Sequence, residues 1–394
     1  PWKSLILALL VTFIVTLPIL LQTSVKQAVY QYTHPYGIEK VELEDIDFNL
    51  FKGTLQINNL SLLKTTDNQL EVITKIKALE VDLALLQLFK QRVVIKKLIF
   101  HSALLPFNLD EQSQLYLAGI PLTSDGSSAD KENKKSGTSI EFGIESLEFK
   151  DIQLSLEHKE QLTSLKIESL TLTDLQTWSN AFARLILKAS LNEHPLAANL
   201  QLHLFRKQPK IIGTFKSSAI KIAEFKHFIP PSVLESGMAF DSTIHTDLTF
   251  TAEQTKSGFK LFQQGPISID QPYFKQDKTD ITLDKIIWNG DIYVTQKEKT
   301  NLILEGDLSL DDTKLDQEAL KASMKSIKAS GKTELDLTDR VNISLQQNFT
   351  IKKAVIKSSD AMQLSTNINL QTDSQINLNA CLLYTSPSPR DTTA

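Results

Sequence analysis

Apolar and polar residues alternate along most of this chain, most clearly between Tyr36 and Leu63. Strict alternation is typical of strands with one apolar face and one face in water. Lys52-Gly53 interrupts the run and predicts a hairpin turn. The alternation slips by one residue between Leu43 and Ile46, and again between Ile57 and Leu60. Each slip predicts a β-bulge, which returns the following apolar side chains to the same face.

The same pattern continues far down the chain, for example over Arg92–Phe100, Ile140–Leu156 and Leu165–Leu172. It predicts a mostly β fold of roughly twenty short strands in a long, twisted, bulged sheet. Few short helices are expected. The candidate helices are Leu85–Gln91, Ile222–Leu234 and Asp311–Ser323. In the second of these, the helical spacing stops at Pro230-Pro231.

The N-terminal segment Leu5–Leu21 is apolar and uncharged, with Lys3 before it and Lys26 after it. No small-x-small cleavage site follows Leu21, so the segment is predicted to be an uncleaved transmembrane anchor rather than a signal peptide. The predicted organisation is an anchor over 1–24, a β segment over 25–122, a flexible linker or loop over 123–139 and a further β-rich segment over 140–380. The linker prediction rests on the Ser-, Lys- and Asp-rich stretch Thr123–Ser139.

Both ends of the sequence are unusual. The chain starts at Pro1 rather than Met, and the alternation stops after Leu378. The stretch Cys381–Asp391, CLLYTSPSPRD, resembles an in-frame translation of a sequencing adapter. Residues 381–394 are therefore interpreted as a non-native tail, and the natural chain is expected to continue beyond residue 380. The alternative is a natural Pro/Ser-rich tail. If the tail is non-native, the single cysteine is not native either.

Composition and motifs point away from several classes of function. The net charge of −4 and the pI of about 6.0 argue against a nucleic-acid partner. The sequence contains no Gly-rich phosphate loop, H-E-x-x-H, G-x-S-x-G or Cys-x-x-Cys motif. Its histidines are scattered without metal-ligand spacing. We therefore predict a non-enzymatic protein without catalytic, cofactor-binding or metal-binding residues.

The stretch DFNLFKGTLQINNLSLL, placed behind an apolar anchor, resembles the AsmA-like family of Gram-negative envelope proteins. It is closest to their periplasmic relatives with a domain of unknown function. The residues that carry the resemblance are Asn49, Leu50, Phe51, Gly53, Leu55, Ile57, Asn59, Leu60 and Leu62. The resemblance implies a single-pass inner-membrane protein with most of its chain in the periplasm. It also implies a taco-like β-groove that carries phospholipid between the inner and outer membranes and supports outer-membrane assembly. Membrane lipid, the inner membrane and outer-membrane assembly proteins are the implied partners.

A long sheet with one apolar face can cover that face in two ways. It can curl into an open groove that shelters acyl chains, or it can pack on a second sheet as a closed sandwich. The second arrangement suits the alternative function, a non-enzymatic envelope scaffold or modulator of outer-membrane protein assembly. Every candidate groove residue could equally be an ordinary core position. The candidates are Val41, Phe48, Leu55, Ile57, Leu79, Val81, Phe149, Ile152 and Leu154.

Overall fold

A computed structural model describes most of the chain and confirms the mostly β prediction, with 79% of the described residues in strands and 9% in helices. The described ranges are 22–49, 51–66, 69–109, 114–117, 120–121, 141–158, 161–228, 239–276, 278–297, 299–318, 320–337, 340–358 and 363–379. These ranges contain β1 to β20, close to the predicted number of strands. Most strands are longer than predicted, and the longest, β14 and β19, have 19 residues each.

The chain divides into two compact units. The first contains the described residues up to Phe205 together with Glu224–Phe228, and the second contains the remainder. The helices of the described chain are α1 (22–33), a 3-10 turn (His34–Tyr36), α2 (Leu85–Leu88) and a 3-10 helix (Ile222–Phe228). The strands of the first unit are β1 (Lys40–Glu42), β2 (Asp45–Asn49), β3 (Thr54–Thr66), β4 (Gln69–Leu83), β5 (Arg92–Leu109), β6 (Leu115–Leu117), β7 (Ile120–Pro121), β8 (Glu141–His158), β9 (Gln161–Gln176), β10 (Ala183–Leu191) and β11 (His194–His203).

The first unit is one sheet built around long antiparallel ladders. β1 and β2 pair with successive parts of β3, and β3, β4 and β5 follow in antiparallel order. β5 then pairs with β8 in parallel, after which β8, β9, β10 and β11 are again antiparallel. β6 and β7 form a short meander on β5. The β5–β8 pairing places the two sequence segments that flank the predicted linker side by side.

The second unit is an antiparallel meander. Its strands are β12 (Lys210–Lys221), β13 (Ala239–Thr255), β14 (Gly258–Gln276), β15 (Thr279–Thr282), β16 (Lys285–Gln296), β17 (Thr300–Gln317), β18 (Leu320–Leu337), β19 (Arg340–Ser358) and β20 (Gln363–Asn379). Each strand pairs with the next, except that β15 and β16 lie end to end between β14 and β17.

Bulges are aligned across neighbouring strands of both units. In the first unit the ladders skip Asn59, Lys77, Ser102, Asp151 and Glu168, which lie next to one another on β3, β4, β5, β8 and β9. In the second unit the ladders skip Asp312, Lys325, Lys353 and Asn367 on successive strands. A bulge bends its strand and increases the local twist. Aligned bulges therefore bend each sheet along a line.

Two of the local predictions at turns and helices are confirmed. The hairpin at Lys52-Gly53 joins β2 to β3, and Gly53 has a left-handed φ of 74° that favours glycine. Helical turns occur at Leu85–Leu88. The segment from Ile222 is a 3-10 helix to Phe228, and the rest of that prediction lies outside the described residues.

The predicted helix over Asp311–Ser323 is wrong, because the segment forms the end of β17 and the start of β18. The predicted cap residues Asp311 and Asp312 lie within β17, and Asp312 is a bulge residue with a left-handed φ of 47°. The backbone groups of this segment form ladder hydrogen bonds with neighbouring strands, so the segment is extended rather than helical.

The anchor prediction over Leu5–Leu21, the linker over Thr123–Ser139 and the tail over 381–394 lie outside the described residues. Within the part of the chain that is described, no helix combines the length and apolar character needed to cross a bilayer.

Candidate functional site

One face of the first unit carries three rows of apolar side chains, here called the apolar face. Ladder partners on neighbouring strands point to the same side, so each side chain in a row lies beside the next. The first row is Phe48, Leu55, Val81, Leu98, Leu147, Leu172, Leu185 and Leu200. The second row is Ile46, Ile57, Leu79, Phe100, Phe149, Leu170, Leu187 and Ala198. The third row is Leu60, Ile76, Ala103, Ile152, Ile167, Ala189 and Leu196.

The aligned bulges keep these rows on one side of the sheet. Between the second and third rows, β3, β4, β5, β8 and β9 each contain one extra residue, with left-handed φ at Asn59 (49°), Ser102 (45°) and Asp151 (54°). Without the extra residue, the interval from Phe149 to Ile152 would turn Ile152 to the opposite face. Asn and Asp tolerate left-handed backbone better than most residues, which suits them to these positions.

The centre of the apolar face is only partly buried. Leu79, Phe100, Phe149, Leu170 and Leu187 in the second row are all half-buried. The Phe100 and Phe149 rings meet edge to face, with centroids 5.0 Å apart. All described strands of the first unit belong to one continuous hydrogen-bonded sheet. No second sheet of this unit therefore covers the face.

Helix α1 covers one side of the apolar face, over β1 to β3. Val25 packs against the cluster that contains Ile46 and Ile57. Val29 and Tyr30, farther along the helix, pack against the cluster that contains Val41. This side of the face is a closed core.

Residues Glu224–Phe228 of the second 3-10 helix belong to the same unit and lie against its β8–β9 end. The buried His227 is 3.0 Å from the Thr163 hydroxyl, and Phe228 stacks on the His158 ring with centroids 5.6 Å apart. Three histidines of the chain therefore lie near this helix, since His194 also pairs with Glu224 at 3.1 Å. Among the described residues no group of three or more metal-ligating side chains is close enough to hold a metal ion.

The structure places all nine predicted groove residues on this side of the sheet. Phe48, Leu55 and Val81 belong to the first row, Ile57, Leu79 and Phe149 to the second and Ile152 to the third. Leu154 continues the face one step beyond the third row, paired with Leu105 and Leu165. Val41 pairs with Leu62 beneath α1 and is 2% exposed. Val41 and Ile57 are therefore covered by α1, whereas Leu79 and Phe149 lie in the half-buried centre.

Several residues of the face were not among the sequence-based candidates, notably Phe100, Leu170 and Leu187. The alternation in Arg92–Phe100 and Leu165–Leu172 contained the signal for the first two. Their position beside Phe149 follows only from the pairing of β5, β8, β9 and β10.

The opposite face is mainly polar and charged, although Ile99 also lies on it and is 2% exposed. Lys150 Nζ lies 2.8 Å from the Glu148 carboxylate, and this hydrogen bond holds the pKa of Glu148 below its usual value. A depression of about 330 Å³ near the β2–β5 edge is lined mainly by charged and polar side chains, among them Asp47, Glu80 and Lys97. The two sides of the sheet thus differ sharply in character.

The second unit has its own apolar face, divided by a row of glycines. Gly265, Gly290, Gly306 and Gly331 are ladder partners on β14, β16, β17 and β18. On one side the glycines adjoin the row Ile267, Trp288, Leu308, Ala329 and Phe349. On the other side they adjoin a mixed row of Gln263, Ile292, Leu304, Thr333 and Leu345, which is followed by the apolar row Leu261, Val294, Leu302, Leu335 and Ile343. A Cβ on Gly306 would lie 2.5 Å from the Asn289 carbonyl oxygen, so only glycine allows this close approach.

Several described positions of the motif that carried the family resemblance have a structural role. The Asn49 side chain accepts a hydrogen bond from the Lys52 N–H at 3.0 Å, which fixes the turn before Gly53. Leu55 and Ile57 enter the apolar face, and Asn59 supplies the bulge. Comparison of the sequence with known protein families and with curated proteins finds no match. The AsmA-like assignment therefore stays a prediction that rests on the motif.

Proposed function

We propose that this protein is an AsmA-like envelope protein that shelters phospholipid acyl chains on its sheet during transfer between the inner and outer membranes. In this proposal an N-terminal inner-membrane anchor holds the β-rich chain in the periplasm, and the open face of the curved sheet is the groove. The observation that carries the proposal is the half-buried stretch of the second apolar row, which runs from Leu79 on β4 to Leu187 on β10.

The dimensions of the rows suit an acyl chain. The second row crosses β2, β3, β4, β5, β8, β9, β10 and β11, which at about 4.8 Å per strand gives a width on the order of 30 Å. One leaflet of a bilayer is about 15 Å of hydrocarbon, half of the usual core. Each buried CH₂ contributes about 0.8 kcal/mol, so even part of a row can hold a lipid tail.

The alternative function, a scaffold for outer-membrane protein assembly, was linked to a closed sandwich. A closed sandwich needs a second sheet on the apolar face. The first unit supplies none among its described residues, which favours the lipid proposal over the scaffold.

Photocrosslinking in cells tests the proposal on the full chain. A photoreactive phenylalanine analogue replaces Phe149 on the apolar face, and in a matched control it replaces Gln153, an exposed residue of the same strand on the opposite face. Mass spectrometry then identifies the adducts. We expect phospholipid on the Phe149 variant and not on the Gln153 variant.

The result also separates the two functions. Protein adducts at position 149 in place of lipid would support the scaffold. Equal lipid labelling at both positions would show nonspecific contact and contradict the groove.

A further inference from the structure

Two loops at one end of the first sheet expose large apolar side chains. Phe51 lies in the β2–β3 turn and is 88% exposed. Leu86, Leu88 and Phe89 lie in and just after α2 and are 79%, 52% and 88% exposed. We call residues 51–53 and 85–90 the tip. Large apolar side chains grouped in this way on a surface mark an interaction site.

Both loops of the tip are held in place. Gly53 N–H donates to the Asn49 carbonyl at 2.8 Å, and Leu83 N–H donates to the Gly53 carbonyl at 2.9 Å. The turn packs directly on α2, because a Cβ on Gly53 would be 2.9 Å from Leu85 Cγ. After α2, Lys90 N–H donates to the Gln87 carbonyl at 2.9 Å. The exposed side chains are therefore displayed by a fixed backbone.

The charged residues of the tip segments are two exposed lysines, Lys52 and Lys90. Lys52 also lines the depression that contains Asp47, Glu80 and Asp82. Arg92, the next cation along the chain, is paired with Glu141. Exposed Phe and Leu flanked by lysine complement the interface of an anionic bilayer, where apolar groups enter the acyl boundary and ammonium groups meet phosphate.

Helix α1 points to the same end of the sheet. Its first described residue, Gln22, donates to the Glu44 carbonyl at 3.0 Å, and Val25 packs near Ile57, four residues from Gly53. Val29 packs farther from the turn, near Leu62. Followed toward its N-terminus, the helix therefore runs in the direction of the tip. The uncharged apolar sequence Leu5–Leu21 directly precedes Gln22.

We propose that the tip is a membrane-docking site that inserts Phe51, Leu86 and Phe89 into the interface of a bilayer with anionic lipid. The site keeps this end of the sheet on the membrane, so that the apolar face begins at the lipid surface. The proposal rests on the membrane attachment in the proposed function, but it does not require that lipid travels along the sheet.

Depth-dependent fluorescence quenching tests the docking. The full chain is reconstituted into vesicles of phosphatidylethanolamine and phosphatidylglycerol, with Cys381→Ser and one new cysteine carrying an environment-sensitive dye. The test position is Phe89→Cys. The control is Leu162→Cys, a 64% exposed leucine at the opposite end of the same sheet, on the order of 50 Å away along β8.

We expect the dye at position 89 to shift to the blue and to lose most of its emission to lipids with a quencher near the headgroup. The dye at position 162 should respond only to an aqueous quencher. Charge reversal by Lys52→Glu and Lys90→Glu should reduce quenching at position 89, as should replacement of phosphatidylglycerol by phosphatidylcholine. These lysines are exposed, so circular dichroism should remain unchanged.

The proposal would be overturned if the dye at position 89 showed no blue shift and, like the dye at position 162, responded only to the aqueous quencher. If quenching at position 89 is the same after the lysine substitutions and after phosphatidylglycerol is replaced, charge complementarity has no role in docking. If a photocrosslinker at position 89 labelled a protein rather than lipid, the tip would be a binding site for a protein partner and the membrane-docking proposal would be wrong. Lipid adducts at Phe149 are measured separately, so loss of tip docking with retained adducts would reject the tip alone. Docking without adducts would reject the lipid groove alone.

Discussion

Phe149→Asp is the sharpest test of the apolar face, because Phe149 lies at its half-buried centre between Phe100 and Leu170. Truncation of a fully buried phenylalanine to alanine lowers the free energy of unfolding by about 3–5 kcal/mol. Loss of the half-buried Phe149 ring should therefore lower it by about 2 kcal/mol. A hydrated carboxylate would also keep about four acyl CH₂ groups away from the row, or about 3 kcal/mol of lipid binding. We therefore expect roughly 100-fold weaker retention of lipid.

The assay is the amount of phospholipid that co-purifies with the chain, measured by mass spectrometry per folded protein. Circular dichroism and a thermal melt establish that the variant is folded. The matched control is Gln153→Asp, which faces water and is the ladder partner of Lys166. It should change neither stability nor lipid content. A folded Phe149→Asp variant that keeps its lipid, or a wild-type chain that never carries any, would refute the reasoning.

Three further predictions concern the sheet itself. Asn59→Val should destabilise the first unit by about 1–2 kcal/mol in a denaturant melt, because a β-branched residue resists the left-handed φ of 49°; an unchanged melt would contradict the importance of the bulge. Asn59→Gly, which accepts the left-handed backbone of position 59, serves as the mild comparison for Asn59→Val. Gly306→Val should destabilise the second unit by about 1–3 kcal/mol, because its Cβ would meet the Asn289 carbonyl. Glu148→Gln should lower stability at pH 7, since Lys150 lowers the folded-state pKa of Glu148 and the carboxylate therefore stabilises the fold above the unfolded value of 4.5. The difference from wild type should vanish as the pH falls through the lowered folded pKa, and a difference that persists in acid would contradict the ion pair as its cause.

Local patterns predicted local features well. The Lys52-Gly53 turn and the bulge at Asn59 follow from the sequence, because turn chemistry and phase slips involve only residues that are near one another in the chain. The same locality explains the error at Asp311–Ser323. Asp311 and Asp312 fit a helix N-cap by residue type, and only the ladders with the neighbouring strands show that they lie inside a strand.

The candidate site was predicted in part. Period-two alternation placed all nine candidates on the correct side of their strands. It did not distinguish Val41, which α1 buries, from Phe149, which stays half-buried. Coverage by a helix is a contact between distant segments, and the alternation of either segment carries no record of it. The tip was missed for a related reason, since Phe51 and Phe89 come together only through the packing of Gly53 on Leu85.

The sequence by itself determined which side chains share a face along each strand, because that property depends only on the two-residue period of extended backbone. The tertiary structure alone decided which strands are neighbours. Phe100 lies beside Phe149 because β5 and β8 pair in parallel across a long intervening segment, and no local pattern specifies that partner or its register. The continuous rows on which the proposed lipid groove depends are therefore a product of long-range pairing acting on a locally encoded alternation.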